Sequence, residues 1–254
     1  MYVVQKRTKS IMNKMFKSGF TLAEVLITLG IIGVVSALTI PSLVHYFKVK
    51  ELENSFKKTD SLIQQALKMT SNELELDSLD NLFNIKYDGA KDEVQEIAEV
   101  FASQFAGATR IDYLKSPLRN NYKSFFHYSI NSFTTGKRDR SYWQAISGDF
   151  LMLGNGTLLT LPYYQGSTGN ASSLMIFVDT NGPGRGPNRW GYDVFYYISN
   201  DNYYVNQCRP YVQDTYATMG CYRFAHKNMN PYDNSIPYWK SLYKDKKWWM
   251  DIKK

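Results

Sequence analysis

One carboxylate in this sequence stands where a negative charge is costly. Glu24 lies inside the apolar run of residues 20–43, and a carboxylate in hydrocarbon is unfavourable and usually has a functional partner. Hydrolysis of the peptide bond between Gly19 and Phe20 would create a positively charged α-amine four residues before Glu24. The sequence therefore predicts a processing site at Gly19 and Phe20, and a charge pair between the new amine and Glu24.

A basic leader precedes the apolar run and sets its expected orientation. Five basic side chains, with no acid among them, lie before Phe20: Lys6, Arg7, Lys9, Lys14 and Lys17. This bias predicts a cytoplasmic amino terminus with the rest of the chain outside. As a helix, residues 20–43 would span about 36 Å, enough for a hydrocarbon core of about 30 Å. The candidate cut precedes this helix, so we expect a cleaved leader over 1–19 and a retained membrane anchor over 20–43.

The residues around the candidate cut form a known type of motif. Gly19-Phe20-Thr21-Leu22-Ala23-Glu24-Val25-Leu26 resembles the amino-terminal processing motif of type IV pilins and type II secretion pseudopilins. Gly30 and Gly33 fall inside the apolar run, where this family often has small residues, and Pro41 lies where pilins commonly carry a proline. The resemblance is confined to the amino-terminal part of the chain. It is specific there, because leader charge, junction, acid position and apolar length all agree.

The resemblance implies a structural role and no enzymatic activity. It implies that prepilin peptidase cleaves after Gly19 and methylates the amine of Phe20, and that Glu24 then pairs with the amine of a neighbouring subunit. Gly30 and Gly33 would let neighbouring helices approach closely. The implied partners are other pilin or pseudopilin subunits and an inner-membrane assembly platform. The implied product is a type IV pilus-like or type II secretion filament, with the chain first anchored in the inner membrane and its carboxyl-terminal domain extracytoplasmic.

The helix is expected to continue beyond the membrane span as an amphipathic segment over 44–72. Apolar positions recur at spacings typical of one helix face: Leu52, Phe56, Ile63, Leu67 and Thr70. Ser71 and Asn72 mark its predicted end. Residues 91–106 predict a second helix with Gly107 as its C-cap.

The remaining chain, residues 73–254, predicts a single α+β domain. Gly154-Asn155-Gly156 separates two short apolar runs and is typical of a β-hairpin turn. Strands are predicted over residues 150–153, 157–161, 173–178 and 193–198. The expected fold is therefore α+β, a long N-terminal helix packed on a C-terminal antiparallel sheet, which the resemblance makes pilin-like.

Two cysteines, Cys208 and Cys221, fall in the part of the chain expected outside the cytoplasm. A disulfide between them is the natural interpretation in an oxidising compartment. Two free, buried thiols are the alternative. Their spacing is not that of a structural zinc site.

A glycine-rich loop between the last two predicted strands offers oxygen ligands. It resembles a loop found in many pilin-like proteins, and its candidate ligands are Asp179, Asn181, Asn188 and Asp193. Such hard oxygens suit Ca²⁺, although too few of them are acidic for an EF-hand. Asx-turns, in which these side chains hydrogen-bond the backbone of the loop itself, are the other interpretation. No cofactor other than this candidate calcium ion is expected.

The bulk charge does not point to nucleic acid as a partner. The formal net charge is +7, and five of these charges lie in the leader, which leaves about +2 for the rest. His45, His127 and His226 are isolated in the sequence, and no catalytic motif accompanies them.

Aromatic residues near the carboxyl terminus leave a second function open, a membrane-anchored glycan- or DNA-binding module. Aromatic rings can stack on sugars or bases, and lysines are interleaved with these rings. The rings in question are Tyr232, Tyr238, Trp239, Tyr243, Trp248 and Trp249. Packing against the domain or against another subunit is the other interpretation of this tail.

Overall fold

The computed structural model describes residues 19–76, 91–111, 130–131, 138–139, 149–165, 173–182, 184–198, 208 and 221–242. It divides the chain into two compact units, Met1–Val44 and His45–Lys254. Residues 1–18 of the leader, His127 and three of the tail aromatics, Tyr243, Trp248 and Trp249, lie outside the described residues. The predicted α+β class is confirmed, since a long amino-terminal helix is followed by an antiparallel sheet.

The first helix, α1, extends over Leu22–Glu73. In the first unit it is apolar around its whole circumference, and its described side chains are exposed, apart from a half-buried Ser36. Pro41 lies inside the helix without ending it, which confirms the predicted continuation into the second unit. The helix ends at Glu73, one residue beyond the predicted Asn72.

In the second unit α1 is amphipathic. Every position of the predicted apolar stripe is buried: Leu52, Phe56, Ile63, Leu67 and Thr70. Thr70 joins an apolar stripe at no polar cost because its hydroxyl donates to the carbonyl of Ala66, at 2.8 Å. The stripe therefore provides one wall of the hydrophobic core of this unit.

The other described elements are short. In chain order they are α2 (Lys91–Ser103), β1 (Thr109–Ile111), β2 (Ile130–Asn131), β3 (Arg138–Asp139), β4 (Phe150–Met152), β5 (Leu158–Thr160), β6 (Tyr163–Gln165), β7 (Ser173–Asp179), β8 (Val194–Ile198), α3 (Cys221–Lys227) and α4 (Tyr238–Leu242). The second predicted helix is present but ends at Ser103 rather than at residue 106, and the chain then turns through Gly107, whose φ is +75°.

Among the described residues, the main sheet has six antiparallel strands. β4 pairs with β1 and β5, while β7 pairs with β5, β6 and β8. β5 and β6 pair with opposite ends of β7, and Pro162, which lacks a backbone N–H, lies between these two strands. β2 and β3 form a separate two-stranded sheet.

The predicted hairpin is confirmed. β4 and β5 pair antiparallel, and the Leu153 N–H donates to the carbonyl of Thr157 at 2.9 Å, closing the turn. The strands are shorter than predicted, because Leu153 and Thr157 belong to the turn rather than to the ladder. Similarly, the predicted strand at 193 begins at Val194, since Asp193 is part of the preceding loop.

The core of the second unit is formed by α1, α2, the main sheet and the helices α3 and α4. Phe56 lies at its centre: its ring centroid is 4.7 Å from that of Phe195 on β8 and 5.3 Å from that of Trp239 on α4. The structure joins Cys208 and Cys221 by a disulfide bond, which ties the start of α3 to the chain before it. Helix α4 is thus part of the core, whereas the sequence alone left open whether this segment packs against the domain or binds a ligand.

Candidate functional site

The amino terminus of α1 is organised by a reciprocal capping interaction. The carboxylate of Glu24 accepts hydrogen bonds from the backbone N–H of Thr21, at 2.8 Å, and from its hydroxyl, at 3.0 Å. The hydroxyl of Thr21 in turn lies 3.2 Å from the N–H of Glu24, which donates to it. Thr21 is the residue just before the helix and Glu24 the third residue within it, so the pair forms a capping box.

The capping box fixes where the charge of Glu24 lies. Its carboxylate is bonded to the amide nitrogen of Thr21, the residue that directly follows Phe20. Because a carboxylate has about four acceptor positions, the two bonds from Thr21 leave others for an incoming amine. Thr21 is a candidate site residue that sequence reasoning missed, and the pattern of Thr followed three residues later by Glu would have revealed it.

The apolar side chains of the first unit are exposed in the part of the chain that the structure describes. Phe20 is 86% exposed and Leu38 is 75% exposed. A methyl group added at Gly30 or at Gly33 would meet nothing within 4 Å, so nothing in the described part of this chain requires glycine at either position. Small residues on an exposed apolar helix are typical of surfaces where a second helix packs closely.

Two threonine hydroxyls of this apolar segment are satisfied within the helix. Thr28 donates to the carbonyl of Val25 and Thr39 to the carbonyl of Val35, each at 2.9 Å. A segment in hydrocarbon must satisfy its polar groups internally, and these two threonines do so. α1 is accordingly long enough and apolar enough to cross a membrane, judged by length and composition.

The glycine-rich loop between β7 and β8 is the second predicted site. Its first acid, Asp179, accepts hydrogen bonds from the backbone of the loop. Oδ1 of Asp179 accepts hydrogen bonds from the N–H groups of Asn181, at 3.3 Å, and Gly182, at 2.8 Å. The side-chain amide of Asn181 donates to the carbonyl of Gly186 at 2.8 Å. These bonds form an Asx-turn and a cross-link within the loop.

The last acid of the loop has a similar role. Asp193 is fully buried, and its two carboxylate oxygens accept the N–H groups of Asn188, at 2.8 Å, and Arg189, at 2.7 Å. Burial, reinforced by the nearby carboxylate of Asp179, raises the pKa of Asp193 well above its usual value. The loop therefore buries two neighbouring carboxyl groups to satisfy its own amides.

Three of the four predicted calcium ligands, Asp179, Asn181 and Asp193, are thus engaged through their side chains with the loop that carries them. Both oxygens of Asp193 and one oxygen of Asp179 bind backbone amides, and Asn181 turns its nitrogen toward the backbone. The part of the chain that the structure describes contains no cluster of three or more His, Cys, Asp or Glu side chains that could hold a metal. These contacts favour the Asx-turn interpretation, and a calcium site over Asp179, Asn181, Asn188 and Asp193 stays a prediction.

The same loop touches the β4–β5 hairpin through two glycines. Gly182 has a φ of +82°, and a Cβ built on it would overlap the carbonyl group of Gly156 at the hairpin turn. Beside this contact, the hydroxyl of Thr157 donates to the carbonyl of Thr180 at 3.0 Å. Close backbone approach therefore explains the glycine at position 182, whereas the φ of +91° explains the glycine at position 156.

Glu53 is a buried acid on α1 that the sequence did not single out. Its carboxylate binds Lys50 at 2.8 Å and Lys57 at 2.6 Å, one turn away on either side. Burial alone would raise the pKa of Glu53, but the hydrogen bonds and charges of the two lysines outweigh it and hold the pKa below its usual value. This carboxylate therefore stays ionised although its side chain is only 8% exposed.

The described histidines are held by contacts distant in sequence. Nδ1 of His226 lies 2.8 Å from Oδ2 of Asp60, and the phenol of Tyr222 donates to the other oxygen of the same carboxylate. Burial and the Asp60 carboxylate raise the pKa of Tyr222. His45 lies buried with Nε2 3.1 Å from the carbonyl oxygen of Leu242. These contacts fasten α3 and α4 to α1.

The tail aromatics divide between packing and exposure. Tyr238 and Trp239 are buried in the core, and the phenol of Tyr238 donates to the carbonyl of Gly191 at 2.6 Å. Tyr232 is 53% exposed. The two buried rings are therefore unable to stack on a ligand as the native domain stands.

Comparison with known proteins agrees with the amino-terminal resemblance. A family model described as the prokaryotic N-terminal methylation motif matches residues 14–40, a segment that contains Gly19, Phe20 and Glu24. This motif is the signature of type IV pilin and pseudopilin precursors. No curated protein and no solved structure matches the chain. The match shows a pilin-type amino terminus. It does not extend beyond residue 40, so the rest of the chain is interpreted from its structure alone.

Proposed function

We propose that this chain is a structural subunit, a pilin or pseudopilin, of a type IV pilus-like or type II secretion filament. Prepilin peptidase would cleave after Gly19 and methylate the new amine of Phe20. The subunit would wait in the inner membrane on its apolar helix, with residues 73–254 outside, and would then polymerise through that helix on an inner-membrane assembly platform.

One observation carries this proposal. The methylation motif coincides with a helical segment whose apolar surface stays exposed and whose single acid is held beside the candidate cut. A bilayer can cover such a surface before assembly, and identical helices can cover it afterwards. The charge pair between Glu24 and the amine of Phe20 would set the register between subunits, because leaving a buried charge without its partner costs about 3–5 kcal/mol.

Mass spectrometry of the mature amino terminus tests the processing step. The chain isolated from its native cell should begin with N-methylated Phe20, and Gly19→Ala should leave the precursor uncut. An unprocessed wild-type chain, or normal cleavage of the variant, would contradict the proposal.

Assembly is tested by a substitution that separates the charge of Glu24 from its capping bonds. Glu24→Gln keeps an acceptor for the Thr21 N–H but removes the negative charge, so we expect normal cleavage and membrane insertion with loss of filament incorporation. Thr28→Ala is the matched control, since its hydroxyl bonds only the carbonyl of Val25 among the described residues. Incorporation of Glu24→Gln at the wild-type level would refute the charge pair.

A further inference from the structure

The disulfide bond between Cys208 and Cys221 is enclosed by the hydrophobic core of the second unit. Cys208 is 2% exposed and Cys221 is 1% exposed. Both side chains belong to the same buried cluster as Leu67 on α1 and Tyr197 on β8. Thiol–disulfide exchange requires a thiolate to reach one sulfur of the bond. So little exposure leaves no room for that approach while the two sulfurs stay in this position.

Helix α3 is the element whose movement would uncover the bond. Cys221 is its first residue, and the helix has only seven residues. A helix of this length is not stable by itself, so its position depends on tertiary contacts. Two of these contacts go to one carboxylate on α1: the phenol of Tyr222 donates to Asp60, and Nδ1 of His226 lies 2.8 Å from the other oxygen of that group.

Tyr222 makes further contacts that hold α3 in place. Its phenol oxygen accepts a hydrogen bond from Nε2 of Gln64 at 3.2 Å. Its ring centroid lies 5.6 Å from that of Phe56 and 4.9 Å from that of Tyr197. Because Tyr222 directly follows Cys221 in the chain, any movement that removes this ring from its site also displaces the backbone that carries the sulfur.

We propose that docking of α3 on α1 controls access to the Cys208–Cys221 bond, so that the bond forms before α3 docks and is shielded from reduction afterwards. In the forming step, the thiolate of one cysteine attacks the disulfide of an external thiol oxidoreductase and displaces one of its thiols. The other cysteine then attacks the mixed disulfide and releases the second thiol. Two cysteine thiols are thereby oxidised as one external disulfide is reduced. The compartment of this step rests on the proposed function, which places residues 73–254 outside the cytoplasm.

Reduction of the native full chain in detergent measures access to the bond. Dithiothreitol reduces it by the reverse reaction, and alkylation at timed intervals followed by mass spectrometry gives the rate. The wild type should be reduced more slowly in its native state than after unfolding in urea, and equal rates would contradict the shielding. When opening is fast relative to exchange, the rate follows the population of the open form.

Tyr222→Phe tests whether α3 is the element that opens. This substitution keeps the ring but removes the phenol hydroxyl, which bonds Asp60 and Gln64. We expect reduction of the native chain to become about 10- to 150-fold faster, the range that corresponds to the loss of one hydrogen bond to a charged group. His226→Ala removes the second contact with Asp60 at an exposed side chain, and should speed reduction about two- to fivefold.

Two control variants separate movement of α3 from general loss of stability. Lys227→Ala changes an exposed side chain of the same helix that bonds no described residue, and should be reduced at the wild-type rate. Gly182→Ala disturbs a contact with Gly156 rather than with α3, so it should leave the rate within about twofold of the wild type. A larger acceleration in Gly182→Ala than in Tyr222→Phe would show that reduction requires global unfolding, and would overturn the proposal.

Two other outcomes would also overturn it. The first is a wild-type rate of reduction in both Tyr222→Phe and His226→Ala. The second is the presence of free thiols at Cys208 and Cys221 in the chain alkylated at isolation from its native cell, which would also contradict the extracytoplasmic placement in the proposed function. An oxidised chain whose reduction is unaffected by changes in α3 contradicts only the control of access.

Discussion

Gly182→Ala provides the sharpest test of how the loop between β7 and β8 meets the hairpin. Gly182 has a φ of +82°, and its added Cβ would overlap the carbonyl of Gly156. Holding alanine in the left-handed region costs about 1–2 kcal/mol. Moving two packed backbone segments apart costs about 1–3 kcal/mol more, by analogy with overpacked cores. We therefore expect a loss of about 2–5 kcal/mol in the free energy of unfolding.

Gly184→Ala is the matched control for this substitution. It lies two residues further along the same loop, is exposed, and has nothing within 4 Å of an added Cβ. An exposed substitution of this kind should change stability by less than about 0.5 kcal/mol. The comparison therefore separates the combined cost of the left-handed backbone and the close approach at Gly182 from the general cost of replacing a loop glycine.

Thermal unfolding of the full chain in detergent, followed by near-ultraviolet circular dichroism, measures the difference. A domain of this size loses about 2–4 °C per kcal/mol, so Gly182→Ala should lower Tm by about 4–20 °C. Gly184→Ala should leave Tm within about 2 °C of the wild type. Equal Tm values for the two variants would refute the packing of the loop on the hairpin turn.

Three further predictions concern buried groups of the second unit. Because the pKa of Glu53 is lowered in the folded state, its carboxylate stabilises the fold at pH values above its pKa in the unfolded chain, about 4.3, and this contribution is lost as pH falls through the folded pKa. Glu53→Gln should therefore reduce the fall of Tm at acid pH. The raised pKa of Asp193 has the opposite effect: its contribution to stability falls as pH rises from about 3.9, its pKa in the unfolded chain, through the folded pKa. Asp179→Asn removes the neighbouring charge that helps to raise this pKa, so it should weaken the decline of Tm with pH. Phe56→Ala should cost about 3–5 kcal/mol in chemical unfolding, whereas Met69→Ala, exposed on the same helix, should be nearly neutral; similar losses in both would contradict the assigned core.

Periodic and strongly local features were predictable from the sequence. The amphipathic part of α1 repeats its apolar residues at helical spacing, so the buried stripe could be predicted from Leu52 to Thr70. The hairpin between β4 and β5 was equally clear, because Gly154-Asn155-Gly156 separates two apolar runs. In both cases the local pattern and the tertiary packing favour the same structure.

Contacts between distant segments left no such pattern. Asp60 contacts His226, which lies 166 residues further along the chain. Arg110 forms ion pairs with Glu99 at 2.5 Å and with Asp149 at 2.6 Å, and these three residues belong to three separate segments. Single charged residues of these types are common on any protein surface. Which of them form pairs depends on the tertiary structure, and the local sequence does not specify it.

Helix and strand ends were harder to predict than their centres. The predicted helix at 91–106 stops at Ser103, and the predicted strand at 193 starts one residue later. In the second case a specific bond decides the boundary, because Asp193 turns its carboxylate to the amides of Asn188 and Arg189 instead of extending the ladder. A side chain that caps a loop competes with strand extension, and strand propensities do not account for that competition.

The capping box at the start of α1 makes the proposed charge pair physically easier to form. An acid free to rotate would lose side-chain entropy when it met the amine of a neighbouring subunit. Glu24 is already held by Thr21 before any partner arrives, with acceptor positions to spare. The same two bonds also stabilise the first turn of the helix that must pack against its neighbours. Processing at Gly19 would then supply the missing cation beside a carboxylate that is already in position.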